Sequence, residues 1–153
     1  MVIEESAGDP IQKGMDAADR GDTLEALLCL EKVAATAHSP LVFSYLAYCL
    51  ARERGLVSDS LALCRDALQR EPCNPLHYLN LGRVYLCASD KARAIRAFRK
   101  GLVYRKRHPL ILRELDRIGV RRRPLLPFLE RSNPLNRALG LAFARVRRPL
   151  ALH

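Results

Sequence analysis

The amino-acid sequence predicts an all-α protein. Helix formers such as Ala, Leu, Arg and Glu are abundant, and apolar residues recur at helical spacing over most of the chain. The β-branched residues are too scattered to alternate with polar residues over the length of a strand. With 153 residues, 49% of them hydrophobic, the chain has the length of one domain and enough apolar side chains for a core.

Two helical patterns, separated by a short polar break at Ser89 and Asp90, lie between residues 74 and 100. Each pattern places apolar side chains on one face, which predicts a hairpin of two helices. Neither face can be buried by the hairpin alone, so we expect neighbouring helices to cover both. The faces consist of Tyr78, Leu81, Gly82 and Tyr85 in the first helix and Ala94, Ile95 and Phe98 in the second.

The start of this hairpin and one glycine within it are informative. Asn74 is a favourable N-cap, and Pro75 suits the first helical position, where no amide proton is needed. Gly82 lies inside the predicted helix, where glycine costs about 1 kcal/mol relative to alanine. A neighbouring helix that approaches closely at Gly82 would explain this residue.

Related patterns occur one hairpin and two hairpins earlier in the chain. The middle copy has one extra residue before Gly55 and carries Ser60 at a position where alanine is expected. The first copy lacks the early aromatic residue. The matching positions are Phe43, Leu46 and Ala47 in the middle copy and Gly14, Gly21, Asp22, Ala26 and Leu30 in the first copy.

The order of an aromatic residue, Leu-Gly, Tyr, Ala and Phe resembles the tetratricopeptide repeat (TPR), which has a period of about 34 residues. The resemblance implies repeats at residues 9–40, 41–74 and 75–108, followed by a capping helix at 109–118. It also implies that the helical hairpins stack into a right-handed superhelix.

The N-terminal part of the chain contains start signals for three helices. Residues 1–8 are expected to be frayed, and they show no pattern of a secretory signal. Helices are expected after Asp9 and Pro10, after a capping box, and after Ser39 and Pro40. The predicted capping box consists of Asp22 and Glu25.

Residues 119–153 do not continue the repeats. Pro124 and Pro127 favour an extended strap, and Asn133 followed by Pro134 predicts the start of a basic amphipathic helix. This segment is similar to the tail of small bacterial TPR proteins. The similarity lies in two arginines, Pro, apolar residues, PFL and NPLN, followed by LG. We expect the strap and helix to dock on the repeats, because their large apolar side chains would otherwise form an exposed patch.

Charge is distributed unevenly along the chain. Residues 1–40 hold eight acidic and three basic residues, whereas residues 91–153 hold eighteen basic and three acidic residues. Such asymmetry bears on partners and association rates more than on the fold. Clusters at Arg105, Lys106 and Arg107 and at Arg121, Arg122 and Arg123 form a basic patch. This patch supports an alternative function, binding of nucleic acid or an anionic membrane, although no aromatic residues are interleaved with the basic ones.

The first helices of TPR repeats line the concave groove of the array, which implies a binding surface for a protein partner. We therefore expect a scaffold or adaptor that binds a peptide or helix of an acidic partner, and self-association is also compatible with the charge asymmetry. For each residue alone, an ordinary solvated polar side chain is the competing interpretation. The predicted groove residues are Tyr45, Tyr48, Arg52, Asn80, Arg83, Arg113 and Arg117.

Catalytic and metal-binding patterns are lacking in the sequence. The five cysteines form no CxxC pair, and the four histidines have no second ligand at helical spacing. No nucleophile elbow or glycine-rich phosphate loop is found. We therefore expect no enzyme activity, no metal and no cofactor, and the cysteines are interpreted as reduced thiols in a cytoplasmic protein.

Overall fold

The computed structural model describes residues 9–120. Within this range the chain forms seven α-helices and no strand. The prediction of an all-helical chain is therefore confirmed for residues 9–120. The helices are α1 (Pro10–Arg20), α2 (Thr23–Ala34), α3 (Pro40–Arg54), α4 (Val57–Arg70), α5 (Pro75–Cys87), α6 (Lys91–Tyr104) and α7 (Pro109–Arg117).

The helices pack in consecutive pairs. The closest packing joins α1 to α2, α3 to α4 and α5 to α6, and each pair also packs on the next one. Helix α7 packs on α6 in the position predicted for a capping helix. The predicted frayed N-terminus, the strap and the C-terminal helix lie outside the described residues.

Two of the predicted helix starts have the expected side-chain caps. The Asp9 carboxylate accepts a hydrogen bond from the amide of Ile11 at 3.0 Å, and the Asn74 side chain accepts one from the amide of Leu76 at 3.1 Å. The capping box at Asp22 and Glu25 is wrong, because the Asp22 side chain makes no capping hydrogen bond. Both carboxylates pair instead with Arg20, which also lies at the α1–α2 turn.

Small residues lie where the two helices of a hairpin cross. A methyl group added at Gly82 would lie 2.6 Å from Cδ1 of Phe98 on α6, and one added at Gly14 would lie 2.8 Å from Cγ of Leu30 on α2. Ala47, at the equivalent position of α3, is fully buried. The close helix contact predicted at Gly82 is therefore present, and it lies within the hairpin.

Candidate interaction site between α1, α3, α5 and α7

A cavity of about 260 Å³ lies between the first helices of the three hairpins and α7. Four of the predicted groove residues line it: Tyr48 on α3, Arg83 on α5, and Arg113 and Arg117 on α7. These helices are distant in sequence, so only the packing of the hairpins brings the four side chains together. We call this space the inner cavity.

Arg83 lies at the centre of the inner cavity and is 2% exposed. Its Nη1 donates to Oδ1 of Asp19 at 2.7 Å, and its Nε donates to Oε1 of Glu114 at 3.0 Å. The guanidinium also lies over the ring of Tyr48, 5.0 Å from the ring centroid. Burial lowers the pKa of Arg83, but the hydrogen bond and charge of Asp19, together with Glu114, outweigh this effect and raise the pKa above its ordinary value.

Two further predicted groove residues lie behind the cavity wall. The Tyr45 hydroxyl donates to Oδ2 of Asp19 at 3.0 Å, and burial together with the Asp19 charge raises the pKa of Tyr45. Asn80 is fully buried and donates from Nδ2 to the Ser44 hydroxyl at 3.2 Å. Both side chains hold neighbouring groups in place and have almost no exposed surface.

Three of the seven predicted groove residues are exposed arginines: Arg113 and Arg117, which line the cavity, and Arg52. Arg113 donates to the backbone carbonyl of Asp19, which joins α7 to the end of α1. The Arg117 side chain is 66% exposed and pairs with Oε2 of Glu114 at 3.0 Å. Arg52 is exposed on α3 and is not among the residues that line the cavity. Contact of any of these residues with a partner stays a prediction.

Sequence reasoning missed the two carboxylates of the site, Asp19 and Glu114. The spacing of Glu114 and Arg117 on one helix face was an available signal, because residues three apart on a helix are neighbours. Asp19 gave no comparable signal, since it meets Arg83 across 64 positions of sequence. The predicted surface is therefore less positive than the arginines alone suggested.

The predicted basic patch is only partly within the described residues. Arg105, Lys106 and Arg107 are exposed in the connection between α6 and α7. Arg121, Arg122 and Arg123 lie outside the described residues. The patch as a whole stays a prediction.

Ser44, His77 and Glu71 form a hydrogen-bonded chain that sequence patterns did not indicate. Nδ1 of His77 lies 3.0 Å from the Ser44 hydroxyl, and Nε2 lies 2.9 Å from Oε2 of Glu71. These distances match those of a serine hydrolase triad. However, Ser44 and His77 are both fully buried, and neither lines the inner cavity. Since a nucleophile must reach its substrate, this chain of bonds stabilises the packing of α3 against α5.

The five cysteines all lie among the described residues and are free thiols. Burial raises the pKa of Cys49 and of Cys64 to about 12, which makes these two thiols poor nucleophiles at neutral pH. Within residues 9–120, no group of three or more His, Cys, Asp or Glu side chains is placed to hold a metal ion. None of the seven described helices has the length and apolar composition needed to cross a membrane.

Comparison with models of known protein families gives no match. Comparison with curated protein sequences gives no significant match either. Among solved structures, the chain is similar to the NMR structure of the first TPR domain of the human RPAP3 protein. The TM-score is 0.53 at 18% sequence identity, and the match covers 71% of this chain and 86% of that chain. The helix order and this likeness confirm the predicted class: residues 9–120 have an all-α fold of the TPR type.

Proposed function

We propose that this protein is a non-catalytic scaffold that binds a peptide or helix of an acidic partner at the inner cavity. The observation that carries the proposal is the convergence of Tyr48, Arg83, Arg113 and Arg117 on one cavity. Tyrosine and arginine are enriched among the residues that contribute most to protein interfaces. Helical repeat arrays commonly use the surface formed by successive first helices for binding.

The charges around the cavity favour an acidic partner. Four arginines and two carboxylates line it, and one of the arginines, Arg20, is paired with Asp22 and Glu25 outside the lining, which leaves three arginines against two carboxylates. Asp19 and Glu114 neutralise Arg83, whereas Arg113 and Arg117 are exposed at the rim. Arg113 and Arg117 can therefore bind carboxylates of a partner while Asp19 and Glu114 stay paired with Arg83.

The size of the cavity limits what can enter it. A volume of about 260 Å³ is below the range of about 300–1,000 Å³ that is usual for small-molecule pockets. We therefore expect one acidic side chain of the partner to enter, held by Arg113 and Arg117. The rest of the partner segment would lie across the exposed ends of α1, α3 and α7.

Affinity capture with matched charge reversals tests this proposal. The tagged protein, the Arg113→Glu/Arg117→Glu variant and a Lys91→Glu/Arg99→Glu control are used as baits in extract of the source cells. The control reverses two exposed charges on α6 that do not line the inner cavity. A specific partner should be recovered by the wild type and the control and lost by the α7 variant. Equal recovery by all three baits, or equal loss in both variants, would contradict the proposal.

The second candidate function is binding of nucleic acid or an anionic membrane through the basic patch. It is favoured by the exposure of three consecutive basic residues, Arg105, Lys106 and Arg107. This function predicts binding to heparin or to anionic vesicles that disappears at moderate salt. Such binding, with no protein recovered in the capture experiment, would favour this candidate over the scaffold.

A further inference from the structure

A second and larger cavity lies on another side of the array, between α4, α5 and α6. Its volume is about 670 Å³. Basic residues form its two walls, with Arg65 on α4 and Arg96 and Lys100 on α6. Its floor is formed by Tyr78, Leu81 and Tyr85 on α5. We call this space the outer groove.

The outer groove is strongly positive. Its lining contains four basic side chains, those named above and Arg93, and no carboxylate. Arg93 is paired with Asp90 at 3.2 Å. Within residues 9–120, Arg65, Arg96 and Lys100 have no carboxylate within salt-bridge distance. Clustered charges of one sign in a cleft attract ligands of the opposite charge.

The dimensions of the groove fit a short segment of polypeptide. Arg93 and Lys100 are two helical turns apart, which corresponds to about 10 Å along α6. This length accommodates about two turns of helix or about three extended residues. The half-buried Leu81 of the floor offers apolar surface to the same segment, and the walls offer partners for its carboxylates.

The tyrosines of the floor are already engaged by other side chains. Tyr78 stacks on Tyr104, with ring centroids 5.5 Å apart, and the ammonium of Lys100 lies 5.5 Å from the Tyr78 centroid. The guanidinium of Arg93 lies 5.9 Å from the centroid of Tyr85. Binding of single-stranded nucleic acid uses free aromatic faces on which bases stack. The arrangement therefore favours a peptide over a nucleic acid.

We infer that the outer groove is a docking site for a short acidic segment of another protein. Carboxylates of this segment pair with Arg65, Arg96 and Lys100, and its apolar side chains lie on the floor formed by α5. This site is separate from the inner cavity, which α1, α3, α5 and α7 form. A protein with both sites can hold two acidic segments at once.

The test uses a fluorescein-labelled peptide of about 12 residues. Glutamate and leucine alternate along this peptide, and glycine and serine spacers separate them. Its affinity for the full-length protein is measured by fluorescence anisotropy. We expect Arg96→Glu/Lys100→Glu to weaken binding about tenfold or more. The Lys91→Glu/Arg99→Glu control has the same change in net charge and should bind like the wild type. The Arg113→Glu/Arg117→Glu variant keeps the outer groove intact, so loss of the peptide in this variant alone, with binding retained by Arg96→Glu/Lys100→Glu, would place the peptide at the inner cavity and overturn the inference.

Two control peptides and circular dichroism complete the experiment. Replacement of glutamate by glutamine, or of leucine by serine, should each weaken binding. Circular dichroism checks that the variants are folded, and Arg96→Gln/Lys100→Gln replaces the charge reversal if the latter fails to fold. The inference is overturned if the acidic peptide does not bind, or if the α6 control weakens binding equally. Displacement of the peptide by a second copy of the chain, or by an oligonucleotide that binds more tightly, would also overturn it.

Discussion

Arg83 is a buried charge with two carboxylate partners. Asp19 and Glu114 bind different nitrogens of its guanidinium, and only 2% of the residue is exposed. Removing one partner of a buried ion pair costs about 3–5 kcal/mol, because the charge of the other partner is left without compensation. Arg83 therefore contributes to the stability of the array as well as to the wall of the inner cavity.

The first prediction is that Arg83→Glu destabilises the protein much more than Arg83→Met. The glutamate would place a third carboxylate beside Asp19 and Glu114, and we expect a loss of about 3 kcal/mol or more in the free energy of unfolding. Methionine also leaves Asp19 without Arg83, but Glu114 keeps its pair with Arg117 and no third carboxylate is added, so the loss should be smaller. Urea denaturation measures both values. Equal losses for the two variants would show that the buried charges do not decide the stability here.

The position of Arg83 on the inner face could be predicted from the helical register of the repeat. Its burial could not, because the decisive partners lie 64 and 31 positions away in sequence. A periodic pattern tells which face of a helix a residue occupies. It does not tell how closely other helices approach that face or which charges they bring.

At the scale of helices, a small residue on the first helix of a hairpin faces a large residue on the second. Gly82 faces Phe98, and Gly14 faces Leu30. This pairing could be predicted in part, since the glycine inside a helix already indicated a close approach. Not all of the helix starts were predicted correctly. Asp22 resembled a capping residue, but Arg20 binds its carboxylate.

The second prediction is that Gly82→Leu overpacks the α5–α6 hairpin and lowers the free energy of unfolding by about 1–3 kcal/mol or more. Even a methyl group would lie within 2.6 Å of the Phe98 ring. Leucine at the exposed Lys91 is a suitable control for the added apolar side chain. Thermal unfolding measures the effect. A melting temperature unchanged by Gly82→Leu would contradict the close contact of these helices.

The third prediction concerns the stability of the folded protein at acidic pH. Burial lowers the pKa of His77, and hydrogen bonds from Asn74 and His77 lower the pKa of Glu71. Below about pH 6.5 the unfolded chain binds a proton at His77 that the folded chain resists, so stability falls as the pH decreases. The stabilising effect of Glu71 is lost in the same direction, below about pH 4.5.

Urea denaturation at a series of pH values measures this dependence. The free energy of unfolding should fall between about pH 7 and pH 5 in the wild type and should fall less in His77→Gln. His108, whose pKa burial and Arg105 also lower, leaves some dependence in that variant. A stability that is constant or increases towards pH 5 would contradict the buried neutral histidine.

At the scale of the whole array, contacts link elements far apart in sequence. Asp19 at the end of α1 bonds to Arg83 on α5 and, through its backbone carbonyl, to Arg113 on α7. In repeat proteins each repeat usually contacts only its neighbours. The order and number of the described helices followed from the repeat pattern, but these long-range contacts of Asp19 did not. The predicted strap and C-terminal helix stay predictions, because they lie outside the described residues.

The central claim is that Arg113 and Arg117 at the inner cavity bind a carboxylate of an acidic partner. Its most direct test is a charge-swap measurement by titration calorimetry, with the partner segment recovered by affinity capture. Arg113→Glu/Arg117→Glu should abolish binding of the native segment, and a segment with its key acidic residue changed to lysine should bind this variant again. Undiminished binding of the native segment to the variant, or no recovery with the lysine segment, would contradict the claim.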